Sequence, residues 1–299
     1  MATSSAPPGA IGPGSHRTGI ALFFVGLLGF GFFDAASKQL LLTYPAPFLN
    51  VIRYATVCLV AIGLWLKNGR HFPVPARFRG LLLARGVALG TVGTCFMTAL
   101  IWMPLAEATA IYFTSPLLVV ALSPWFLQER VSPAKWLAVS AGFVGMLFIV
   151  RPGNELPWLG TVLMVVSAIS FALFQLLTRK LAAHVPNHVQ YGTTAILCLV
   201  ITAVPAPFFL PQPWPDALTL LMIVAISSTN ALAQVLLLAA FQRIAASTLA
   251  PFNYFQLLIA VVISATWFKQ APDNLALLGI GLIAAGGLYL ARPERQKLT

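Results

Sequence analysis

Long apolar runs, separated by short polar or proline-rich breaks, make up most of this chain. Each run has roughly the 17 to 25 residues with which an α-helix crosses a hydrocarbon core of about 30 Å, whereas the strands of a membrane barrel are short and alternating. The pattern therefore predicts membrane-spanning helices. The breaks delimit ten spans, at residues 18–37, 47–66, 80–101, 105–127, 135–150, 157–177, 189–208, 217–240, 244–267 and 274–291.

The second half of the chain repeats the pattern of the first. The apolar segment that ends at Arg151 corresponds to the one that ends at Arg292, 141 positions later, and the same offset places Phe33 on Phe174. Each copy holds five spans, an odd number, so the second copy enters the membrane from the opposite side. We therefore predict an all-α integral membrane protein with ten transmembrane helices in two inverted five-helix repeats. The predicted segments are a disordered cytoplasmic tail at residues 1–17, the repeats at 18–152 and 153–292, and a cytoplasmic tail at 293–299.

Composition and charge agree with this prediction. Hydrophobic residues make up 59% of the chain, charged residues make up 8%, and the mean hydropathy is +0.88, whereas soluble domains carry about 25% charged residues. The formal net charge of +11 reports topology, because thirteen Lys and Arg residues fall in cytoplasmic segments and three in external ones when the N-terminus is placed in the cytoplasm. We predict a multi-pass protein of the bacterial inner membrane with both termini cytoplasmic. Its expected partners are the lipid bilayer and a small molecule, and no nucleic acid.

Sequence signals for catalysis are absent. His184 and His188 are four apart, but Pro186 between them argues against a helical metal-binding pair, and no carboxylate or cysteine cluster accompanies them. No Gly-rich loop has the spacing of a phosphate-binding loop. We therefore predict no enzymatic activity, no metal and no cofactor. Inverted repeats are instead the usual design of secondary transporters, in which two similar halves of opposite orientation expose one central site to either side in turn.

Several motifs resemble those of the ten-helix drug/metabolite transporter superfamily, EamA family. They are Phe30 and Phe171 in the first helix of each half, Pro47 with Arg53 in the second helix, Ala106-Glu107-Ala108-Thr109 leading to Ser115-Pro116-Leu117, and Gln128-Glu129-Arg130 at the end of span 4. The resemblance covers about residues 18–292, and within the family the chain looks most like bacterial YddG-type amino-acid exporters. It implies two homologous bundles around a central cavity, peripheral spans 5 and 10, and the outward movement of small metabolites, commonly amino acids.

Polar and ionisable side chains inside the spans are candidates for the substrate site, since a charge at the bilayer centre costs on the order of 2.5 to 3.5 kcal/mol. Asp34 and Lys38 share one face of span 1 with Phe30, and Gln175 belongs to the equivalent stripe on span 6. Near the outer ends of their spans, Arg53 lies about two turns into span 2 and Glu107 about one turn into span 4.

Two interpretations of these charges stay open. In the first, they form an outward-facing polar vestibule, where Lys38 or Arg53 attracts a substrate carboxylate and Asp34 or Glu107 receives an ammonium group or a proton. In the second, they are ion pairs between helices, in which Asp34 neutralises Lys38 or Arg53 and Glu107 neutralises either cation.

Amides and aromatic residues nearer to the middle of the membrane form a second set of candidates. Asn230 and Gln234 share a face of span 8, while Asn253 and Gln256 share a face of span 9. Amides bind zwitterions without imposing a net charge, and an aromatic-lined cavity suits a cargo with an apolar or aromatic side chain. The alternative is that the amides join helices and the aromatics fill space. The aromatic candidates nearest to these amides and to span 4 are Tyr112 and Tyr254.

Prolines predict interruptions at corresponding places in the two halves. Pro116 and Pro124 in span 4 and Pro251 in span 9 remove backbone hydrogen bonds and break or kink their helices. Interrupted helices in both halves are typical of a transporter's site, and ordinary packing kinks are the alternative. Gly86 and Gly90 in span 3, like the glycines of span 10, allow close helix approach, either internally or in a dimer, so the oligomeric state stays open.

The function predicted from these observations is a secondary transporter or facilitator that exports small metabolites by alternating access. The expected cargo is an aromatic or large apolar amino acid. Drug, nucleoside or lipid-linked sugar transport by the same fold is the first alternative, and an intramembrane enzyme or a channel is the last. Proton coupling stays open.

Overall fold

In the computed structural model, residues 13–68, 74–128, 131–150, 156–182, 184–241, 243–244 and 249–290 are described. All regular structure in these residues is helical. We number the helices by the ten predicted spans, with span 4 divided into α4a and α4b. They are α1 Pro13–Leu40, α2 Ala46–Asn68, α3 Ala76–Ala99, α4a Leu105–Tyr112, α4b Ser115–Phe126, α5 Pro133–Val150, α6 Trp158–Ala182, α7 Asn187–Ala203, α8 Ala217–Phe241, α9 Phe255–Thr266 and α10 Asn274–Leu290.

The length and hydropathy of these helices suit a membrane. In the described part of the chain, seven helical segments are long and apolar enough to cross a bilayer, and three shorter apolar helices complete the set, at His188–Ala203, Phe252–Thr266 and Asn274–Leu290. The predicted all-α fold with ten membrane helices is therefore confirmed. The helix α1 begins at Pro13, within the segment predicted as a disordered tail, because proline suits the first turn of a helix. The remainder of that tail and residues 293–299 lie outside the described residues.

The two repeats pack across one another. The first helix of each repeat lies mainly against the third helix of the other, so that α1 packs on α8 and α6 packs on α3. The second helices, α2 and α7, pack together, and so do the fifth helices, α5 and α10. If the two repeats are exchanged, the α1–α8 pair becomes the α6–α3 pair, and the α2–α7 and α5–α10 pairs stay the same, as expected for two inverted copies.

Glycines permit the close contacts between these helices. The side chain of Leu197 on α7 fills the space beside Gly86, and Ile201 fills the space beside Gly90. A Cβ atom on Gly279 of α10 would collide with the backbone carbonyl of Gly145 on α5. Gly86, Gly90 and Gly279 therefore serve contacts within one chain.

Aspartates mark the beginnings of two helices. The Asp273 carboxylate accepts the Ala276 N–H at 2.7 Å and caps α10. In the same way Asp216 accepts the Thr219 N–H at 3.2 Å at the start of α8. Hydrogen bonds from the side chain and the backbone of Thr219 hold the pKa of the Asp216 carboxyl below its usual range.

The predicted interruptions lie in spans 4 and 9. The helix α4a ends at Tyr112, and α4b begins at Ser115 with Pro116 in its first turn. In the second repeat, the 3-10 turn Ala250–Tyr254 contains Pro251 and precedes α9. Each break leaves irregular backbone within the membrane helices of its repeat.

The chain does not break at Pro124, where a break or kink was also predicted. The helix α4b continues to Phe126. Proline leaves the carbonyl four residues earlier without its N–H donor, and here the Ser123 hydroxyl donates to that carbonyl, on Val120, at 3.0 Å. This local replacement explains why the helix persists.

Candidate substrate-binding site

Arg53 on α2 lies among aromatic rings. The centre of its guanidinium is 4.8 Å from the Phe33 ring centroid and 5.2 Å from that of Tyr54. Among the described residues, no hydrogen-bond acceptor meets its buried Nε atom. A guanidinium carries five N–H donors in a planar fork that matches a carboxylate. Arg53 is therefore half-buried, and the described residues leave it with free donors.

Three further predicted residues lie close to Arg53. Asp34 on α1 is within electrostatic range of Arg53 and accepts a long hydrogen bond of 3.5 Å from the Gln256 amide on α9. The Tyr112 side chain lies within electrostatic range of both Asp34 and Arg53. We call Asp34, Arg53, Tyr112 and Gln256 the Arg53 cluster. It combines one cation, one carboxyl group, an amide and a phenol from four of the ten spans.

Aromatic rings extend from this cluster across both repeats. The Tyr112 ring lies 4.9 Å from Phe171 on α6 and 5.4 Å from Phe96 on α3, measured between centroids. Phe113, in the break between α4a and α4b, lies 5.6 Å from Tyr254 in the 3-10 turn before α9. The rings at the two helix interruptions are therefore in contact.

Tyr254 is buried, with 8% of its surface exposed, and its hydroxyl has no hydrogen-bond partner among the described residues. Its ring packs directly over Gly287 on α10, where any larger residue would collide with it. Burial without a partner is costly for a hydroxyl group, so this position suits contact with a polar group that the described residues do not provide.

Lys38 lies apart from the Arg53 cluster. Its ammonium group donates to the backbone carbonyls of Leu100 at 3.1 Å and Met103 at 2.5 Å. These carbonyls follow the last turn of α3, where donors are lacking and a cation is stabilised by the helix dipole. Among the described residues, the hydrogen bonds of the Lys38 ammonium group go to these two carbonyls and not to the Asp34 carboxyl group.

Glu107 lies in the first turn of α4a, where a carboxylate is stabilised by the free N–H groups of a helix start. It receives a hydrogen bond from its own backbone N–H and interacts electrostatically with Lys38. Its Oε2 atom is buried without a partner in the described residues. Lys38 and Glu107 thus form a separate pair of opposite charges where α1 and α3 end and α4a begins.

The amide candidates divide into two groups. Gln234 on α8 donates to Asn230 at 3.0 Å and accepts the Tyr191 hydroxyl at 3.1 Å, so these two amides are partly satisfied by one another. Asn253 is half-buried in the 3-10 turn and has polar or electrostatic contacts of its own. The two remaining candidates, half-buried on α1 and α6, are Phe30 and Gln175.

A cavity of about 150 Å³ lies between the repeats. It is lined by side chains of α2, α3, α6, α7 and α8, among them Arg85, Tyr191 and Gln234. The sequence prediction does not include Arg85, although an arginine this far inside an apolar span is itself a functional signal. A larger groove of about 300 Å³ lies between α1 and α8, but it is lined mostly by apolar side chains such as Leu28 and Leu232 that are exposed on the lipid-facing surface.

The family of the chain follows from comparison with known proteins. The model of the EamA-like transporter family matches residues 17–151 and again residues 158–292. The chain therefore belongs to the EamA-like transporter family, with one family unit in each predicted repeat. It is a multi-pass membrane transporter for small molecules, and not an enzyme.

Relatives with assigned functions carry different cargoes. The chain is 27% identical over 290 residues to an S-adenosylmethionine uptake transporter of Rickettsia bellii, covering 95% of this chain and 97% of the relative. It is 28% identical over 230 residues to a riboflavin transporter of Rhizobium johnstonii, with 76% and 73% covered. It is also 27% identical over 292 residues to a pseudopaline exporter of Pseudomonas aeruginosa, with 93% and 98% covered.

A solved protein structure shares the fold. Its TM-score is 0.62 at 20% sequence identity, and the match covers 91% of this chain and 98% of the other. The likeness concerns the architecture alone. The closer resemblance to YddG-type amino-acid exporters stays a prediction.

Proposed function

We propose that this protein transports a small zwitterion that carries an aromatic or large apolar group, and that aromatic and large apolar amino acids are its first candidate cargo, moved out of the cell. The observation that carries the proposal is the Arg53 guanidinium, which has no hydrogen-bond partner in the described residues and lies beside Asp34 among aromatic rings.

The charges of the Arg53 cluster complement an amino acid. A carboxylate that leaves water needs a cationic partner with hydrogen bonds, and the planar fork of Arg53 suits it. The Asp34 carboxyl group, which among the described residues accepts one hydrogen bond of 3.5 Å from Gln256, is available to an ammonium group. The rings of Tyr112 and Phe171 offer contact to the apolar part of such a cargo.

The helix interruptions and the exchange of packing between repeats support alternating access. Irregular backbone at the midpoint of corresponding helices is typical of transporter sites, and inverted repeats allow two equivalent conformations of opposite orientation. In this proposal, the breaks before Ser115 and Phe255 are where the two bundles rock against each other.

A nucleoside-type or other ring-bearing cargo is the second candidate. It is favoured by the relatives that carry S-adenosylmethionine and riboflavin and by the close approach of Tyr112 and Phe171, which suits a planar ring. The relatives include both an uptake transporter and an exporter, so export by this chain rests on the family resemblance.

Counterflow in proteoliposomes tests the cargo. Purified protein is reconstituted in separate liposomes loaded with unlabelled L-phenylalanine, S-adenosylmethionine or riboflavin, and uptake of the same compound in labelled form is followed in each. We expect phenylalanine to be exchanged. Phenylalaninamide, in which an amide replaces the carboxylate, should not be exchanged. Exchange of S-adenosylmethionine or riboflavin without phenylalanine exchange would replace the first candidate by the second.

We further propose that both termini face the cytoplasm of a bacterium and that the protein lies in its inner membrane, as the distribution of Lys and Arg predicts. Single cysteines introduced at Asn154 and Pro213, in a chain without its native cysteines, should react with an impermeant reagent from outside. A cysteine at Asn68 should not. The reverse pattern would overturn the orientation.

Proton coupling through Asp34 is part of the same proposal, since this carboxyl group lies within the membrane and close to a cation. An imposed pH gradient should then drive accumulation of phenylalanine, and Asp34→Asn should abolish the drive even at phenylalanine concentrations high enough to restore counterflow. Equal accumulation with and without a gradient in the wild type would exclude coupling to protons.

A further inference from the structure

Arg85 is a buried cation at the wall of the cavity between the repeats. It lies ten residues into α3, and only 7% of its surface is exposed. Its Nε donates to the Thr178 hydroxyl at 2.7 Å, and its Nη1 donates to the Gln190 carbonyl at 2.7 Å and to the Thr194 hydroxyl. These three acceptors on α6 and α7 fix the plane of the guanidinium.

One edge of that guanidinium is left for a ligand. Nη2 makes no hydrogen bond to a described residue. This nitrogen is also not fully enclosed by protein atoms. Arg85 is one of the residues that line the cavity. Nη2 is therefore the guanidinium nitrogen that remains for a hydrogen bond to a small molecule there.

The charge of Arg85 is also uncompensated within the described part of the chain. All its hydrogen-bond acceptors are neutral, and its guanidinium lies 4.4 Å from the ring centroid of Phe174. A buried cation without a carboxylate is costly. An anionic group in the cavity would remove that cost and complete the hydrogen bonds of Nη2.

Tyr54 separates this cavity from the Arg53 cluster. The Tyr54 ring lines the cavity and lies 5.2 Å from the guanidinium centre of Arg53. Cys198, which also lines the cavity, is within electrostatic range of both arginines. The two cationic positions are therefore neighbours divided mainly by one aromatic side chain. The two arginines enter from opposite sides of the membrane. Arg53 follows the start of α2, Arg85 follows the start of α3, and consecutive membrane helices begin on opposite sides.

We propose that the cavity at Arg85 is a second binding site, called the station, which binds the carboxylate of the cargo on the side of the membrane where α1 begins. Tyr54 is the partition between this station and Arg53. The station rests on the proposed transport of a carboxylate-bearing cargo. Because the space measures about 150 Å³, below the roughly 300 to 1,000 Å³ of ordinary ligand pockets, it holds the carboxylate end of a cargo when Tyr54 is in its present position.

Calorimetric titration with sodium benzoate tests the station without requiring transport. The full-length protein carries Arg53→Gln, so that the other cation is absent, and it is compared with chains that add Arg85→Gln or Arg77→Gln. Arg77 is the matched control, an exposed arginine on the same helix that also lies over a ring, that of Phe78. We expect benzoate binding by Arg53→Gln and by the control, and at least tenfold weaker binding after Arg85→Gln.

Ala195→Leu provides a second variant if Arg85→Gln does not fold, as judged by its melting temperature. Ala195 lines the cavity, so the larger side chain should fill it and block benzoate while the hydrogen bonds of Arg85 stay in place. Equal benzoate affinity with and without the Arg85 or Ala195 substitution would overturn the station, and so would absence of benzoate binding by Arg53→Gln.

Phenylalanine counterflow in the wild type separates this proposal from the proposed function. Counterflow without benzoate binding by Arg53→Gln would leave the transport proposal and remove the station. Benzoate binding that depends on Arg85, without counterflow of phenylalanine, would keep an anion site and reject the amino-acid cargo.

Discussion

The two arginines between the repeats occupy related surroundings but differ in how they are held. Each guanidinium lies over a phenylalanine that the repeat makes equivalent, Phe33 for Arg53 and Phe174 for Arg85. Arg53 comes from the second helix of its repeat and has no hydrogen-bond partner in the described residues, whereas Arg85 comes from the third helix and has three. The two repeats thus share the phenylalanine position, but the arginine that lies over it comes from a different helix in each case. A cation without hydrogen bonds suits a site that binds and releases substrate by moving its side chain. A cation fixed by hydrogen bonds suits a preformed binding site.

Arg53→Gln should produce the largest loss of transport. Removing one member of a desolvated charge contact costs about 2 kcal/mol or more, which corresponds to roughly 30-fold or more in substrate affinity. Because Arg53 has no hydrogen bond within the described chain, the melting temperature should stay near that of the wild type. Counterflow in proteoliposomes and thermal melting measure the two effects. Normal counterflow in a stable Arg53→Gln protein would remove Arg53 from the site.

Arg85→Lys should produce a smaller loss that depends on the side of the membrane. Lysine keeps the charge but loses the planar fork that Thr178 and Gln190 hold. We expect the KM for phenylalanine to rise about tenfold, or 1.4 kcal/mol, when substrate is presented on the side where α1 begins. Vesicles in which the protein has one known orientation give the KM for substrate presented on each side. An equal rise from both sides would mean that the two cations do not act as successive stations.

Lys38→Met tests a third cation, for which we expect a role in supporting the fold because of its hydrogen bonds to two backbone carbonyls. The change leaves the carbonyls of Leu100 and Met103 without a donor, at about 1 to 3 kcal/mol for each stranded group. The melting temperature should fall clearly, while the transport rate of each folded molecule stays the same. Lys180→Met, at an exposed position on α6, is the matched control. Loss of transport without loss of stability would return Lys38 to the site. Because no carboxylate accepts the hydrogen bonds of Lys38, an added Asp34→Asn should not restore the stability.

Thr178→Val should have the smallest effect. It removes the acceptor of the Arg85 Nε but leaves two others, so we expect a loss of stability of about 1 to 2 kcal/mol and a modest rise in KM on the side of Arg85 alone. Thr178→Ser, which keeps the hydroxyl, should behave like the wild type. Identical behaviour of the valine and serine variants would show that the guanidinium of Arg85 does not depend on this bond.

The sequence predicted the fold well, because a membrane restricts the chain to long apolar helices. The ten spans, the inverted repeat and the interruptions at Pro116 and Pro251 all follow from local patterns. Helix ends were less predictable. The helix α6 extends to Ala182, five residues beyond the predicted end of its span, because a helix can continue past the hydrophobic run into the polar boundary region.

The candidate site was predictable only in part. Buried polar residues such as Asp34, Arg53 and Gln256 stand out in apolar spans, but their partners do not. Lys38 finds its carbonyl acceptors 62 and 65 positions away, and Arg85 finds its partners 93 to 109 positions away. Contacts of that kind depend on how helices cross, which a single sequence does not show. This is why the hydrogen-bond acceptors of Lys38 and the place of Arg85 at the cavity could not be predicted.

The cross-packing of the repeats has a consequence for how a cell makes this protein. Ala217, where α8 begins, follows Leu40, the end of α1, by 177 positions. At a translation rate of about 5 to 20 residues per second, α1 leaves the ribosome roughly 9 to 35 s before the helix on which it mainly packs. During that time Asp34 on α1 has not yet met Gln256. A chain truncated before α8 therefore leaves its first helix in lipid without its main neighbour, and the cell's quality-control proteases would meet it as an unfinished protein.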